Sequence, residues 1–522
     1  MKHNQADTPR RTSTPVPPSS IVKILPCDRV WPLHAAAATR CIEQRCAASL
    51  PAHTLMRRAG DAVARLSLAL APHAHRVWVA AGPGNNGGDG LEAAVQLQAT
   101  GRQVSVSWLG DAARLPADAK DALTRAQAAG VRIATDLPGD AVEFDFAVDA
   151  LLGIGAGREP AGALLESIKR LNRMGSRVLA VDLPSGLAAD TGNAFTDACV
   201  RAAHTLSLLT LKPGLFTASG RDHAGTVWRD TLGCDVDAEP ADAWLQGASG
   251  APPVARAHAG HKGSFGDVAV VGGATGMRGA ALLAARAAHA AGAGRVYLDC
   301  LDVQAKSDCA VDPVRPELMF AAGWCGRDAA VLKQTTVVCG CGGGDEVRRV
   351  LPRLLSRVPR LVLDADALNA VAADAALLAL LRQRRARQQA TVLTPHPLEA
   401  ARLLGCSAIE VQADRLHAAR RLVAATDCVV VLKGSGTVIA APGEVPRINA
   451  SGNGSLASAG TGDVLAGWLG GLWAQAGPAG NVFTVAARAV AEHGAAAEPM
   501  RPGALRAGDL IEALHRHARG FA

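Results

Sequence analysis

Short apolar runs rich in β-branched residues alternate with alanine-rich stretches along the chain, and this alternation constrains the fold most. The runs include Arg76–Ala80, Val104–Trp108, Phe144–Val148 and Val178–Val181 in the first half. In the second half they are Val268–Val271, Val296–Leu298, Thr336–Val338, Leu361–Leu363, Thr391–Leu393 and Val429–Val431. Helical patterns such as Leu91–Ala99, Ala119–Ala129 and Met277–Ala291 lie between them. Such alternation predicts parallel sheets with helices on both faces, and ligand sites at the C-terminal strand ends. A chain of 522 residues is too long for one core. Residues 236–257 are rich in Asp, Ala, Gly and Pro and read as a linker. No short-period repeat is present. The expectation is therefore an α/β protein with two unlike domains, 25–235 and 258–522. A disordered tail, 1–24, precedes them, with Pro9, Pro15, Pro17 and Pro18.

Composition removes several functional classes. Aromatic residues make up only 3% of the chain, so the cores must be built from Ala, Val and Leu. The net charge of +7 is mild over this length. The basic cluster Leu381-Arg382-Gln383-Arg384-Arg385 reads as a solvated helix face, so no nucleic-acid partner is expected. No apolar run is long enough to span a membrane. Arg10-Arg11 is not followed by the apolar segment of a twin-arginine signal. The 12 cysteines show neither a Cys-x-x-Cys pair nor zinc spacing, and Cys41 and Cys46 are five apart in a helical region. Reduced thiols in a cytoplasmic protein are expected.

In the first half, the strand at Arg76–Ala80 runs into Gly82-Pro83-Gly84-Asn85-Asn86-Gly87-Gly88-Asp89-Gly90, with a helix expected from Leu91. Five glycines in nine residues let backbone amides approach a ligand. The asparagines and the aspartate offer oxygen ligands. A phosphate and a hard monovalent cation both suit such a loop. A plain turn would need only two such residues. Two further strand tips carry Asp149-Ala150-Leu151-Leu152-Gly153-Ile154-Gly155 and Asp182-Leu183-Pro184-Ser185-Gly186. Three acid- or amide-bearing tips on one sheet edge point to a small-molecule site.

In the second half, Gly460-Thr461-Gly462-Asp463 precedes the apolar run Val464-Leu465-Ala466. A helix N-terminus presents free N–H groups that suit a phosphate, and an aspartate there can take a proton from a hydroxyl. A second small-residue turn, Lys433-Gly434-Ser435-Gly436-Thr437, follows Val429–Leu432. His261–Gly266, Asp364-Ala365-Asp366 with Asn369, and Thr394-Pro395-His396-Pro397-Leu398-Glu399 add polar groups at or beside strands. Singly, Asp364 and Asp366 could be helix caps, and His396 a rigid turn. Together at successive strand tips they point to catalysis.

With Leu55–Gly60 and Leu211-Lys212-Pro213-Gly214, the first-half motifs resemble the NAD(P)H-hydrate epimerase domain over residues 25–235. The second-half set resembles the ADP-dependent NAD(P)H-hydrate dehydratase of the ribokinase-like group over residues 258–518. The resemblance implies a Rossmann-like α/β/α sandwich followed by a ribokinase-like α/β domain. It implies that Asn85, Asn86, Gly87, Gly88 and Asp89 bind the hydrated nucleotide, as do Gly153, Ile154, Gly155, Ala156, Gly157, Arg158 and Glu159. Asn86, Asp149 and Ser185 would hold a potassium ion, and Asp182 would be the base. In the second domain, Lys433, Gly434, Ser435, Gly436, Thr437 and Gly462 would bind the adenine nucleotide. Asp463 would be the base, and Ala280, Gly344 and His396 would line the substrate pocket. Two places depart from the family pattern. Gly340-Cys341-Gly342-Gly343-Gly344 replaces a glycine-proline-glycine loop, and the freed backbone is expected to be more mobile. Gly452–Ala457 lacks an expected proline-glycine pair.

The implied activity is repair of hydrated NADH or NADPH. The first domain would epimerise the R and S forms. The second would dehydrate the S form at the expense of ADP or ATP, with Mg2+ on the nucleotide. A homo-oligomer in the cytoplasm is expected. A ribokinase-like kinase for a vitamin-precursor alcohol would share Asp463 but leave the first domain without a role. A binding module would not need Asp149, Asp182 and Ser185 together.

Overall fold

Val77, Val79, Val148 and Val181 are buried in one cluster and their strand neighbours Trp78, Ala80, Ala147 and Ala180 in another, so both faces are covered, as only the interior of a helix-covered sheet allows. The structure is a computed structural model. It describes residues 20–25, 29–139, 141–155, 157–247, 256, 258–302, 311–500 and 503–520. The first sheet has eight strands. Its order is Val22–Lys23, Thr226–Asp230, His204–Leu208, Val178–Val181, Phe146–Ala150, Arg76–Ala81, Gln103–Trp108 and Arg132–Ala134. All pairs are parallel except that at Val22–Lys23. Helices Thr54–Leu70, Asn85–Ala99 and Ala163–Met174 are among those that cover it. This is the expected Rossmann-like sandwich.

The second sheet has eleven strands. Met319–Phe320, Arg295–Cys300, Asp267–Gly272, Thr335–Cys339, Arg360–Leu363, Ala390–Leu393 and Val429–Leu432 are parallel. Val438–Ala440 and Arg447–Asn449 then continue as antiparallel strands. Helices Arg278–Ala290 and Thr461–Ala476 pack on its core through Ala284, Ala288, Val464 and Trp468. This is the ribokinase-like domain.

Five expectations differ from the structure. The linker holds a strand, Ala243–Gln246, paired with Arg447–Asn449 in the second sheet. Trp31–Leu33, expected in the first domain, pairs with that strand from the other side. Trp31, Leu33 and Leu245 are almost fully buried, and burial of this apolar edge outweighs the turn-like composition around it. Residues 20–24 of the expected tail are described and include the Val22–Lys23 strand; residues 1–19 lie outside the described residues. The expected reduced thiols give way at one place, where Cys46 and Cys234 form a disulfide with Cα atoms 5.9 Å apart. Helix Ala36–Ala48 holds Cys46, and the turn after strand Thr226–Asp230 holds Cys234, 188 residues away, a pairing that spacing does not reveal. Finally, the basic cluster is not wholly solvated. Arg384 is 1% exposed and donates to the carbonyls of Leu355 (2.7 Å) and Val358 (2.8 Å) and to Thr391 Oγ1 (2.6 Å). It caps a helix and a strand end from inside. No helix among the described residues is long and apolar enough to cross a membrane.

The two halves share a core. Leu183, Leu215 and Phe216 of the first pack in one apolar cluster with Ala400, Leu416, Val430 and Leu432 of the second.

Candidate active sites

The helix expected from Leu91 begins at Asn85. The glycine-asparagine run is therefore its first turns and not a loop. A Cβ on Gly87 would fall 2.0 Å from Gly82 O, and one on Gly88 would fall 2.9 Å from Ala119 Cα. These two glycines pack closely against neighbouring elements, with no room for a side chain. The neighbouring strand is shifted by two residues from its expected place, ending at Ala150, which puts Asp149 within it, paired with Ala80 and Ala180.

Asn85, Asn86, Asp89, Gly153, Ile154, Gly155 and Asp182 all line one cleft of about 580 Å³ at the C-terminal edge of the first sheet. Gly157, Arg158 and Glu159 are exposed and do not line it. Ala156 lies outside the described residues. The cleft is acidic. Glu43 and Asp118 line it as well, and nothing in their sequence surroundings marked them. Burial, then the charges of Asp182, Glu43 and Asp118, push the Asp89 carboxyl well above the usual range.

Asp182 is held in an unusual way. Its φ is +67°, and Leu183 N donates to Val181 O at 2.8 Å across it, the pattern of a γ-turn. Leu209 on the next strand tip repeats this, with φ +61° and Thr210 N donating to Leu208 O at 2.8 Å. Such strain persists only where surrounding structure enforces it. Lys212, fully buried, forms an ion pair with Asp182 Oδ1 and also donates to Leu208 O (2.8 Å) and Thr210 O (3.1 Å). One lysine thus holds both strained tips. Its place in the Leu211–Gly214 motif was visible in sequence, but its ion pair was not.

Asp149 is fully buried. Its carboxylate accepts from Ser185 N (2.8 Å), Ser185 Oγ (2.6 Å) and Leu151 N (3.2 Å). All three donors are neutral, and burial pushes the carboxyl up to about 6. Asn86 is buried too, and its amide nitrogen has no hydrogen-bond partner among the described residues. A buried carboxylate whose donors are all neutral fits a monovalent cation, and the Asn86 side-chain oxygen, not its amide nitrogen, is the atom that would ligate it.

In the second half, Lys433 follows one strand, Asp364 a second and Thr394 a third. Lys433 Nζ lies 2.7 Å from Asp364 Oδ1 and 3.9 Å from Glu399. Thr394 Oγ1 donates to the same Asp364 oxygen at 2.7 Å. Asp463 is in the first turn of the Thr461–Ala476 helix, and a Cβ on Gly462 would sit 3.4 Å from Lys433 Nζ. Cys341 Sγ and one oxygen each from Asp364 and Asp463 lie within 4.8 Å of one another. Burial and the Asp364 charge push the Asp463 carboxyl up to about 6. His493, not foreseen, is buried under this turn and donates from Nε2 to Thr461 O at 2.9 Å; burial lowers it to about 4, so it is neutral.

His396 is the N-cap of helix Pro397–Leu404, its Nδ1 accepting from Leu398 N at 3.1 Å. Its half-exposed ring leaves Nε2 3.2 Å from Glu399. The Gly340–Gly344 loop, expected to be loosened, is pinned on both sides. Gly273 N donates to Cys341 O (3.0 Å), Ala274 N to Gly342 O (2.7 Å), and Gly344 N to Asp366 Oδ2 (2.9 Å). Ala280 lies against Gly342. Lys433–Thr437 is the turn of an antiparallel hairpin, with φ +137° at Gly434 and +60° at Gly436.

Comparison with known proteins finds relatives for both halves of the chain. The family model described as YjeF-related protein N-terminus matches residues 52–214, and that described as NAD(P)H-hydrate dehydratase matches residues 268–516. The bifunctional NAD(P)H-hydrate repair enzyme of Escherichia coli is 35% identical over 486 residues, 90% of each chain. That of Vibrio cholerae is 36% identical over 440 residues, 81% of this chain and 84% of its own. Among solved structures, the ADP/ATP-dependent NAD(P)H-hydrate dehydratase of Bacillus subtilis, co-crystallised with ATP and Mg2+, is 30% identical. It covers 51% of this chain and 94% of its own, with a TM-score of 0.43. With similarity to the bifunctional enzymes running through both halves, the chain belongs to the family of bifunctional NAD(P)H-hydrate repair enzymes.

Proposed function

We propose that the first site epimerises the R and S hydrates of NADH and NADPH, and that the second dehydrates the S form with ADP or ATP as phosphoryl donor. The observation that carries this is the pair of acids at separate sheet edges. Asp182 is braced by a buried lysine in a cleft large enough for a nucleotide. Asp463 stands in the first turn of a helix beside Asp364 and Lys433.

In the second site, Asp463 takes the proton of the ring hydroxyl. The freed oxygen attacks the terminal phosphoryl group of ADP or ATP and displaces AMP or ADP; the ring phosphate then leaves with its C–O electron pair where hydroxide would not, and loss of a proton from the adjacent ring carbon to the departing phosphate or water restores the double bond. Lys433 and the N–H groups of the helix start stabilise charge on the phosphates. Asp364 already has Lys433 as its cation, so Mg2+ is assigned to the phosphates, with few protein ligands. In the first site, Asp182 moves the proton, and Asn86, Asp149 and Ser185 would hold potassium, which supplies a counter-charge to the buried carboxylate. The same proposal places the enzyme in the cytoplasm as a homo-oligomer, for which sedimentation of the purified chain is the check on assembly.

The deciding experiment gives the full chain purified R or S hydrate with ADP or ATP and follows the absorbance of the reduced nicotinamide. Asp463→Asn should leave R and S interconverting but unrepaired. Asp182→Asn should repair S and leave R. If either variant repairs R hydrate at the wild-type rate, the assignment of that acid is wrong. Potassium replaced by a bulky organic cation at constant ionic strength should slow epimerisation alone. Equal epimerisation rates in the two buffers would remove the cation site.

A further inference from the structure

The hairpin turn at Lys433–Thr437 does not stand free at the edge of its own domain. The carbonyl oxygens at its tip are bound from the first half of the chain. Ala218 N donates to Ser435 O at 3.2 Å. Thr217 Oγ1 lies 3.3 Å from Ser435 O and 3.4 Å from Gly436 O. Thr217 is 1% exposed, so its hydroxyl has no water to turn to. The hydroxyl also accepts, from Arg415 Nε at 3.2 Å. Arg415 is itself 1% exposed and clamps the base of the same turn, its Nη2 donating to Leu432 O and Lys433 O, each at 3.1 Å. A Cβ on Gly436 would fall 2.0 Å from Phe216 O. The fit between residues 216–218 and the turn therefore has no spare room.

The same segment makes a second crossing. Arg221 Nη2 donates to Gly452 O at 2.9 Å, and its Nη1 lies 3.4 Å from Ser451 O. That strand end is tied to the turn, since Asn449 N donates to Thr437 O at 2.9 Å. The segment begins at Lys212, the lysine that holds Asp182. Ten residues thus carry the brace of one site at their start and grip two loops of the other at their end.

We infer that Thr217 and Arg221, residues of the first half, are positioning residues for the nucleotide site of the second. The inference rests on the reading of Lys433–Thr437 as a nucleotide-binding turn. Neither side chain touches the nucleotide in this account. Each fixes backbone carbonyls of the turn or of the strand end bonded to it, and so sets where the turn's N–H groups and Lys433 point. A buried hydroxyl that accepts from a guanidinium and donates to a carbonyl contributes on both sides. Its removal leaves the buried Arg415 Nε short of an acceptor and the turn short of one donor.

The test uses the full chain. Thr217→Val keeps the shape and removes the hydroxyl; Thr217→Ser restores it. In Thr217→Val the KM and the calorimetric Kd for ADP and ATP should rise by about fivefold or more, the equivalent of one buried hydrogen bond, while kcat at saturating nucleotide stays within about twofold. Thr217→Ser should return both constants to wild type. A general loosening of the fold would lower kcat and the melting temperature together, and serine would not selectively restore nucleotide affinity. If Thr217→Val folds poorly, Arg221→Gln reads the same brace from the half-exposed side, and its nucleotide KM should rise in the same way. Unchanged nucleotide KM in a folded variant of either residue overturns the inference. Lys433→Ala separates the two levels. If it leaves nucleotide affinity unchanged, the turn is not the nucleotide site and the inference falls with that reading. If Lys433→Ala weakens binding but Thr217→Val does not, only the inference falls.

Discussion

At the scale of single residues, burial sets the working range of Asp463. The Asp463 carboxyl is pushed up to about 6, chiefly by desolvation. A base works only when ionised, so dehydratase kcat/KM should fall as pH drops through about 6 and level off above it. A profile flat from pH 5 to 8, with chemistry rate-limiting, would exclude Asp463 as the base. Asp463→Asn should lose about two to four orders of magnitude at pH 7.5, as removal of a general base does. Lys212 poses a different problem. Replacing it by Met strands Asp182 as a buried, uncompensated charge, at a cost of about 3–5 kcal/mol. Epimerisation should fall with it. Adding Asp182→Asn to Lys212→Met should recover much of the melting temperature and none of the activity, and additive losses of stability would contradict the ion pair's role. Asp149, Asp182 and Asp463 were legible as candidates because acids at strand tips and helix starts are few. Lys212 and His493 were harder to place. A lysine before Pro-Gly and a histidine in an alanine-rich helix look ordinary until the fold buries them.

At the scale of elements, strand–helix alternation located most central strands within a residue or two, since buried parallel strands are continuous apolar runs. The glycine-asparagine run was misjudged because glycine is read as a helix breaker. Here contacts with Gly82 O and Ala119 make a side chain impossible at Gly87 and Gly88, and that tertiary demand overrides propensity. Two short strands of the second sheet were missed for a related reason. Val438–Ala440 and Arg447–Asn449 have three residues each, too few for a period to register. The hairpin between them and Val429–Leu432 gives a sharp prediction. Gly436→Ala meets both a positive φ and Phe216 O. It should cost at least about 1–3 kcal/mol through the strained backbone alone, read as a lower denaturation midpoint in urea. A midpoint equal to wild type would mean that the turn and residue 216 are not in contact.

At the scale of the molecule, two domains were legible and their separation was not. The Pro and Gly content of residues 236–257 reads as a linker between domains, yet Trp244 and Leu245 within it pair with Arg447 and Ile448. Composition reports what a segment could do alone, and a strand that completes another domain's edge is decided by its partner. Phe216, fully buried in the shared cluster, makes the consequence measurable. Phe216→Ala should cost about 3–5 kcal/mol, and both activities should be lost over the same temperature range on heating. Epimerase activity that outlasts dehydratase by many degrees would show that the halves melt independently.

The order in which the chain is made gives the crossing strands another meaning. Trp31–Leu33 leaves the ribosome early. Its partner Ala243–Gln246 comes some two hundred residues later, and the neighbour that joins both to the second sheet, Arg447–Asn449, comes two hundred residues after that. The first domain can close around its own sheet while this edge still waits for its template. Synthesis of the dehydratase half is thus what finally buries a piece of the epimerase half. A chain cut short before residue 447 would be left with an apolar strand, Trp31 at its tip, open to any passing sheet edge.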